Sequence, residues 1–403
     1  MSIQVTDHAN SKLERTSGGK PAKQKKFGLV LQGAAALGAY EVGAVEYLYE
    51  SGMECAIVSG ASSGAMNAAT LAGAKGYPPQ VLRELWGMLA VNPPIPFLPP
   101  VIRQSWSMFG VPHMYTPRLD WWKMPTWTYL SDNTPFRKTL EDLLDWDQIR
   151  DPEHMRLTVS ASGVEDGGTT YFSNLDPNVP LGPEHVMASG SFPGGFPWTR
   201  IKDRDYWDGG LTDNTPLKPV IDNLQGNEPE TMPIIMIDVF SSSAPPPANM
   251  NEVVLRMFEL FLQNKLKADS DTAQSYTRFI SVLKQVDNQL PADAPVRKEP
   301  GWDQVMNYAL VRQIRMIDMK KPAGESGSDW SPEAISRRLS AGYEQTKTKR
   351  IRVHSLDTPP DSVKPLPEQF LIVIGATSRA CLTKRRGPPV GEHGQVIGRF
   401  RAG

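Results

Sequence analysis

A five-residue turn at residues 60–64, which reads Gly-Ala-Ser-Ser-Gly, constrains the fold more than any other part of this chain. A short apolar run at residues 56–58 comes just before it, and a run of small residues at 65–69 follows it. A strand, a tight turn and a helix in this order are the context in which a G-x-S-x-G motif forms a nucleophile elbow. The pattern therefore predicts a strand-to-helix elbow with a serine at its tip.

The two glycines of this turn, Gly60 and Gly64, fit such an elbow because side chains there would collide with the neighbouring strand or helix. The turn would expose the hydroxyl of Ser62 beside the free N–H groups of a helix start, where an oxyanion is stabilised. The alternative is a chance match in a chain with 33 glycines. The flanking strand and helix patterns favour the elbow over chance.

Composition narrows the class of protein. The chain has 403 residues, a net charge of −1 and 40% hydrophobic residues, so a large core is expected and no global field favours nucleic acid. Cys55 and Cys381 are far apart, which argues against a disulfide framework and for a reducing compartment. We expect a cytoplasmic protein without a signal peptide or transmembrane helix, and a peripheral membrane contact stays open, as does the oligomeric state.

The order of elements near the start of the chain predicts the fold class. A buried strand at residues 27–31, a helix at 39–51, the strand before the elbow and the helix after it form a βαβα unit. This predicts an α/β fold with a mainly parallel sheet covered by helices. The predicted segments are a disordered basic arm (1–26), a catalytic domain (27–245), a helical C-terminal extension (246–345) and a largely disordered tail (346–403).

Three segments allow two interpretations each. The basic arm is either a solvated tail or a weak contact for an anionic surface. The insertion at about 93–130, rich in proline and aromatic residues, is either a lid or lipid-facing surface or packing over the sheet. The helix predicted at 253–267 lies in the core or faces a partner, or else it lies on a membrane surface.

The serine needs a base, and the histidines do not offer one in the expected place. None lies in a glycine-framed turn after a strand, as the sequence context shows for His8, His113, His154, His185, His354 and His393. Asp208 is the better candidate, because Gly209 and Gly210 follow it and let its carboxylate approach another segment closely. An ordinary turn is the alternative for this Asp-Gly-Gly sequence.

The turn at residues 33–38, between the first strand and its helix, is a candidate oxyanion hole. It lacks the patterns that bind nucleotide phosphates, since Ala35 replaces the second glycine of G-x-G-x-x-G and no Lys-Ser/Thr pair follows Gly38. An oxyanion requires only N–H donors. The candidate donors are the backbone amides of Gly33, Ala34, Ala35 and Ala36.

Together, the three turns resemble those of the patatin-like phospholipase family. That family combines a glycine-rich oxyanion turn, a G-x-S-x-G elbow and a D-G-[AG] turn, which correspond in order to residues 33–38, 60–64 and 208–210. The resemblance covers about residues 27–245, and a weaker one, to the C-terminal extension of bacterial members, includes residues 336–343. It implies a three-layer patatin-like fold.

The resemblance also implies a function. Ser62 would be the nucleophile and Asp208 the general base of a Ser–Asp dyad that cleaves acyl esters of phospholipids, lysophospholipids or glycerolipids through an acyl-enzyme. No metal and no cofactor are implied. The family normally has glycine where this chain has Ala34 and Ala35. Loss of one oxyanion donor costs about a hundred- to a thousandfold in rate, so the alternative is a catalytically impaired acyl-lipid binding protein.

Overall fold

The strand that leads into the elbow lies beside the first strand at the centre of a mixed sheet. β1 (Lys25–Leu31) and β2 (Met53–Gly60) pair in parallel along their whole lengths. Apart from their first two residues, both strands are buried, as a parallel sheet with helices on both faces requires. The turn after β1 and the elbow after β2 therefore emerge at the same edge of the sheet.

The protein is represented by a computed structural model. The chain divides into two units, Met1–Asp357 and Thr358–Gly403, and every described residue lies in the first. The described residues are 25–92, 106–240, 246, 253, 256, 257, 260, 282, 283, 285–299, 301–311, 313–322, 325, 327–348 and 352–355. Most of the helix predicted at 253–267, the first part of the insertion and the apolar run at 370–374 lie outside them.

Of the nine other strands that the structure describes, seven extend the sheet on both sides of β1 and β2, and the other two form a separate pair. The nine are β3 (Thr116–Pro117), β4 (Ser131–Asp132), β5 (Arg156–Gly163), β6 (Thr169–Ser173), β7 (Thr199–Ile201), β8 (Arg204–Asp208), β9 (Ile234–Asp238), β10 (Gln313–Asp318) and β11 (Arg352–Ser355). Within the described residues the main sheet has the order β11-β10-β9-β1-β2-β5-β8-β7, with β6 paired to β5 and with β3 and β4 apart. The pairs from β10 to β5 are parallel, and the outer pairs are antiparallel.

Helices cover both faces of this sheet. They are α1 (Ala39–Glu50), α2 (Ser63–Ala72), α3 (Pro78–Met88), α4 (Thr134–Leu143), α5 (Trp146–Arg150), α6 (Pro183–Ser189), α7 (Leu217–Asp222), α8 (Glu228–Thr231), α9 (Trp302–Leu310) and α10 (Pro332–Thr348). One core packs α1, α2, α3 and α10 on Leu29 and Leu31, and a second packs α7 and α9 on Val30 and Ile57. The predicted α/β architecture, a mainly parallel sheet between helical layers, is confirmed.

Helix α10 crosses α1 at very short range. A Cβ at Gly43 would overlap the carbonyl oxygen of Leu339, and a Cβ at Gly342 would overlap that of Tyr40. Glycine at both positions lets the two helix backbones touch. The start of α10 is capped by Ser331, whose Oγ accepts the N–H of Ala334.

The chain differs from the predicted outline in three places, two of them in its C-terminal part. β10 (Gln313–Asp318) joins the sheet in parallel to β9, inside a segment predicted as helical. β11 (Arg352–Ser355) lies in the predicted tail. At the other end, β1 begins at Lys25, inside the predicted arm of 1–26. The sequence does not predict β10 and β11, because both strands are short and take their places by pairing with neighbouring strands rather than through a strong local pattern. The other segment limits stay predictions.

Candidate active site

The turn at residues 60–64 connects β2 to α2 with a strained backbone at its tip. Ser62 has φ 52° and ψ −121°, a region that side-chain-bearing residues rarely adopt. A Cβ at Gly60 would overlap the carbonyl oxygen of Gly64, and one at Gly64 would lie 2.5 Å from that of Leu31. Both positions therefore have room for glycine alone, and the Ser62 side chain stays partly exposed.

The structure brings Ser62 and Asp208 into direct contact. The Ser62 hydroxyl donates a hydrogen bond to Oδ2 of Asp208 over 2.6 Å. The two residues are 146 positions apart in the chain, and Asp208 is the last residue of β8. A serine hydroxyl is thus aligned with a carboxylate that can accept its proton.

The turn after Asp208 holds its carboxylate, and β5 holds its backbone. The N–H of Gly210 donates to Oδ1 of Asp208 over 2.7 Å, and the Ser162 hydroxyl donates to the Asp208 carbonyl oxygen over 2.7 Å. A Cβ at Gly209 would overlap the carbonyl oxygen of Ser160. The two glycines after the aspartate therefore have separate roles, since Gly209 permits close packing on β5 and Gly210 supplies a donor.

Burial changes the proton affinity of this carboxylate. Asp208 is buried, and desolvation raises its pKa to about 6 against the opposing effect of the hydrogen bonds from Ser62 and Gly210. A base with a pKa near 6 is ionised at neutral pH yet still takes up a proton readily.

The turn at residues 33–38 lies directly against the elbow. A Cβ at Gly33 would come within 2.8 Å of the Ser62 Cβ. Nδ2 of Asn214 donates to the Gly33 carbonyl oxygen over 3.1 Å and so ties this turn to the loop after Asp208. Ala35 has φ 48°, the left-handed conformation that favours glycine. Ala35, one of the two positions where the resemblance leads one to expect glycine, therefore lies at the strained position of the turn.

Two of the four predicted oxyanion donors are already occupied. The N–H of Ala34 donates to Oγ of Ser63 over 2.9 Å, and that of Ala36 donates to the carbonyl oxygen of Gly327 over 3.0 Å. The amides of Gly33 and Ala35 have no hydrogen-bond partner in the part of the chain that the structure describes. Of the four candidate donors, Gly33 and Ala35 therefore have unoccupied N–H groups, because Ser63 and Gly327 accept the amides of Ala34 and Ala36.

Two further residues beside the dyad, Ser189 and Asn214, are not predicted by the sequence. Oγ of Ser189, at the end of α6, accepts the N–H of Ser62 over 2.9 Å and holds the strained elbow. Asn214 was missed as well. Its place six residues after the predicted base was a signal that could have been followed, whereas nothing local singles out Ser189 among neighbouring serines.

A second buried carboxylate lies behind the turn at 33–38. Glu41 accepts the N–H of Gln32 over 2.6 Å and Nδ2 of Asn67 over 2.9 Å. The Oδ1 of Asn67 in turn accepts Nε1–H of Trp86 over 2.8 Å. Complete burial raises the pKa of Glu41 to about 8, since these hydrogen bonds oppose desolvation only in part.

Histidine and metal-binding side chains are not gathered near the dyad in the described ranges. His185 is buried, but its Nδ1 accepts the N–H of Gly182 at the start of its own helix. No group of three or more His, Cys, Asp or Glu suited to a metal ion occurs among the described residues.

Of the helices the structure describes, none has both the length and the apolar character needed to cross a bilayer.

Comparison with known proteins gives one family. A family model described as patatin-like phospholipase matches residues 29–221, which include both Ser62 and Asp208. No curated protein matches the chain.

Two solved structures are similar to the chain at low identity. VipD from Legionella pneumophila is 18% identical, with a TM-score of 0.36 over 81% of this chain and 66% of that one. The ExoU–SpcU complex of the type III secretion system of Pseudomonas aeruginosa is 17% identical, with a TM-score of 0.29 over 62% of this chain and 51% of that one. This chain thus spans less than two thirds of either solved chain.

Proposed function

Residues 29–221 of this chain belong to the patatin-like phospholipase family, and on that premise we propose that the protein is a serine hydrolase of lipid carboxylic esters. Ser62 is its nucleophile and Asp208 its general base. The observation that carries this proposal is the 2.6 Å hydrogen bond between the Ser62 hydroxyl and the Asp208 carboxylate. Phospholipids, lysophospholipids and glycerolipids are the proposed substrate class.

In the first half-reaction, Oγ of Ser62 attacks the ester carbonyl carbon while Oδ2 of Asp208 takes the hydroxyl proton. The tetrahedral oxyanion is stabilised by the free amides of Gly33 and Ala35. When the bond to the alcohol breaks, Asp208 returns the proton to the leaving alkoxide, and an acyl group stays on Ser62.

In the second half-reaction, a water molecule attacks the acyl-enzyme. Asp208 takes a proton from this water as the new carbon–oxygen bond forms, and the same amides hold the second oxyanion. The bond to Ser62 then breaks, Oγ recovers the proton, and the fatty acid leaves. One carboxylate thus acts as base and acid in each half, and no imidazole is needed.

Hydrolysis of medium-chain p-nitrophenyl esters tests the proposed activity, followed by fatty-acid release from lysophospholipid. The expected result is turnover by the wild type and loss of it in Ser62→Ala and in Asp208→Asn, each by roughly 10⁴-fold. Ester hydrolysis that survives Ser62→Ala would overturn the mechanism.

An acyl-lipid binding protein with impaired catalysis is the second candidate, and the left-handed Ala35 favours it. If this residue relaxes in solution, one oxyanion donor turns away and the rate falls by roughly a hundred- to a thousandfold. A fluorophosphonate probe separates the two candidates, because a hydrolase is labelled on Ser62. Binding of fatty acid without any labelling would favour the binding protein.

We further propose that the protein meets its substrate at a membrane surface through an exposed aromatic surface. Large apolar side chains are exposed at Met108, Phe109, Leu119, Trp121, Trp122, Met124, Leu130 and Trp198. Trp121 and Trp122 are 73% and 64% exposed, and Lys123 follows them, which is a composition suited to a lipid headgroup layer.

The segment at residues 191–194 connects this aromatic surface to the dyad, because it makes a hydrogen bond with each of them. The N–H of Leu130 donates to the Gly194 carbonyl oxygen over 2.9 Å, and the Ser191 carbonyl oxygen accepts the N–H of Asp208 over 2.9 Å. Sedimentation with vesicles of phosphatidylcholine and phosphatidylglycerol tests the contact. Trp121→Ala with Trp122→Ala should reduce binding and vesicle hydrolysis while the rate on a soluble ester stays unchanged. Unchanged vesicle binding would contradict this proposal.

A further inference from the structure

We infer that Arg338, from the C-terminal helix α10, is a positioning residue for the oxyanion turn and therefore for catalysis. The inference rests on the proposed function, since it assigns Arg338 to the same reaction. Arg338 lies 117 residues beyond the end of the family match, which stops at residue 221. The site would thus be completed by a segment outside the region that the family model recognises.

The guanidinium of Arg338 contacts the turn directly. Arg338 is fully buried, and its Nη1 donates to the Ala36 carbonyl oxygen over 3.1 Å and to the Asp329 carbonyl oxygen over 2.6 Å. Its Nε donates to Oε1 of Glu325 over 2.6 Å. The planar guanidinium bridges three acceptors at once, which a lysine ammonium cannot do in the same geometry.

The peptide groups on both sides of Ala36 are held by the same C-terminal segment. Besides the hydrogen bond from Arg338, the carbonyl oxygen of Gly327 accepts the N–H of Ala36 over 3.0 Å. On the other side of the turn, Asn214 holds the Gly33 carbonyl oxygen. Ala35 therefore lies between anchored peptides, and this arrangement keeps its backbone at φ 48°.

This anchoring explains how the turn keeps its shape without the family glycines. An alanine in the left-handed region is strained and would relax if its neighbours were free. Relaxation would rotate the amide of Ala35, one of the two unoccupied donors. The crossing of α10 over α1 at Gly43 and Gly342 brings Arg338 within reach of the turn.

Arg337 provides a matched control. It is the next residue of α10, and its Nη2 pairs with the same Glu325 carboxylate at 2.9 Å. Its side chain is 49% exposed, and its hydrogen bonds within the described residues go to Glu325 rather than to the oxyanion turn. Arg338→Lys and Arg337→Lys therefore make the same substitution in two residues that both pair with Glu325. Only the first alters the hydrogen bond to Ala36.

The experiment compares both variants in the full chain by two readouts. Steady-state hydrolysis of a p-nitrophenyl ester gives kcat and KM, and amide hydrogen exchange read by mass spectrometry follows the peptide that contains residues 33–38. We expect Arg338→Lys to lower kcat by about 10- to 100-fold with KM changed less than about threefold, because an oxyanion donor is misplaced while the groups that bind the substrate stay in position. We expect faster exchange in that peptide, and wild-type behaviour from Arg337→Lys.

Adding Ala35→Gly to Arg338→Lys separates positioning from a general loss of structure. Glycine adopts the left-handed backbone without strain, so it should restore part of kcat. Unchanged exchange in Arg338→Lys, unchanged kcat, or a loss that Ala35→Gly does not reduce would each overturn the inference. A wild type without esterase activity would instead overturn the proposed function, and the exchange readout would still show whether Arg338 holds the turn.

Discussion

The elbow at residues 60–64 and the oxyanion turn at 33–38 are two tight turns at the same sheet edge, and they are held in different ways. The elbow carries glycine wherever backbone crowding requires it. The oxyanion turn carries alanine at its left-handed position and is held by residues far away in the chain. The close packing of the first turn is thus specified by its own glycines, with Ser189 holding the N–H at its tip, whereas the left-handed residue of the second turn depends on anchors from distant segments.

The two turns also share one feature. Each is tied to a buried carboxyl group, Asp208 at the elbow and Glu41 behind the oxyanion turn. Burial raises the pKa of both, so both carboxyls lower the stability of the folded protein when ionised. Asp208 is thus a buried carboxyl group that is proposed to react, whereas the contacts of Glu41 with Gln32 and Asn67 are structural.

The largest effect is expected from a methyl group added to the elbow. Gly64→Ala places its Cβ against the backbone of β1, which cannot shift without displacing the sheet. We expect a loss of about 3 kcal/mol or more in the free energy of unfolding. Urea unfolding followed by circular dichroism measures it.

The oxyanion turn allows the reverse substitution, from alanine to glycine. Ala34→Gly should alter the free energy of unfolding by about 1 kcal/mol or less, since it removes only a methyl group and adds backbone freedom. Equal effects of the two changes would remove the contrast between a self-specified and an externally held turn.

The pH dependence of hydrolysis should follow Asp208. The base must be ionised to accept the Ser62 proton, and its pKa is raised to about 6, so activity is present above that pH and lost below it. We expect kcat/KM to fall about tenfold per pH unit below about 6 and to level off above it. A profile flat down to pH 4 would contradict Asp208 as the base.

Glu41 should govern the pH dependence of stability instead. Its folded pKa of about 8 lies above the unfolded value of 4.5, so the folded state binds the proton more tightly and stability falls as pH rises toward 8. Between pH 6.5 and 7.5, where Asp208 is already ionised, the slope should approach about 1.4 kcal/mol per pH unit.

Urea unfolding at these two pH values tests the assignment. Glu41→Gln should remove the slope whatever its effect on absolute stability, and Asp208→Asn should keep it. A slope that persists in Glu41→Gln would assign the titration to another group.

The smallest effect is expected from Ala35→Gly alone. Relief of the left-handed strain outweighs the added freedom of the unfolded chain, so the free energy of unfolding should rise by about 0.5–1 kcal/mol. Ala36→Gly, at a position without positive φ, should lower it by a similar amount. Opposite signs for these neighbours support the strain at residue 35, and equal signs contradict it.

The sequence was sufficient for the central fold, and it singled out Ser62 and Asp208, whose side chains the structure brings into contact and whose catalytic roles are proposed here. The elbow glycines and the apolar strands are local signals, and local signals determine the βαβα unit.

Contacts between distant segments could not be predicted from the sequence. The short strand β10 takes its place by pairing with β9, and Ser189 contacts Ser62 only because α6 ends beside the elbow. Arg338 is one of two adjacent arginines, and nothing in its neighbourhood indicates which one turns inward. Such choices depend on the packing of α10 on α1, which no local pattern encodes.

The most direct test of the central claim is the rate at which a fluorophosphonate modifies the wild type and Asp208→Asn, with the modified residue identified by mass spectrometry. We expect a single adduct on Ser62, formed in the wild type with a rate that rises through pH about 6. In Asp208→Asn the rate should be lower by roughly 10³-fold or more and independent of pH. Equal rates in the two proteins, or an adduct on another residue, would contradict a serine activated by direct contact with this aspartate.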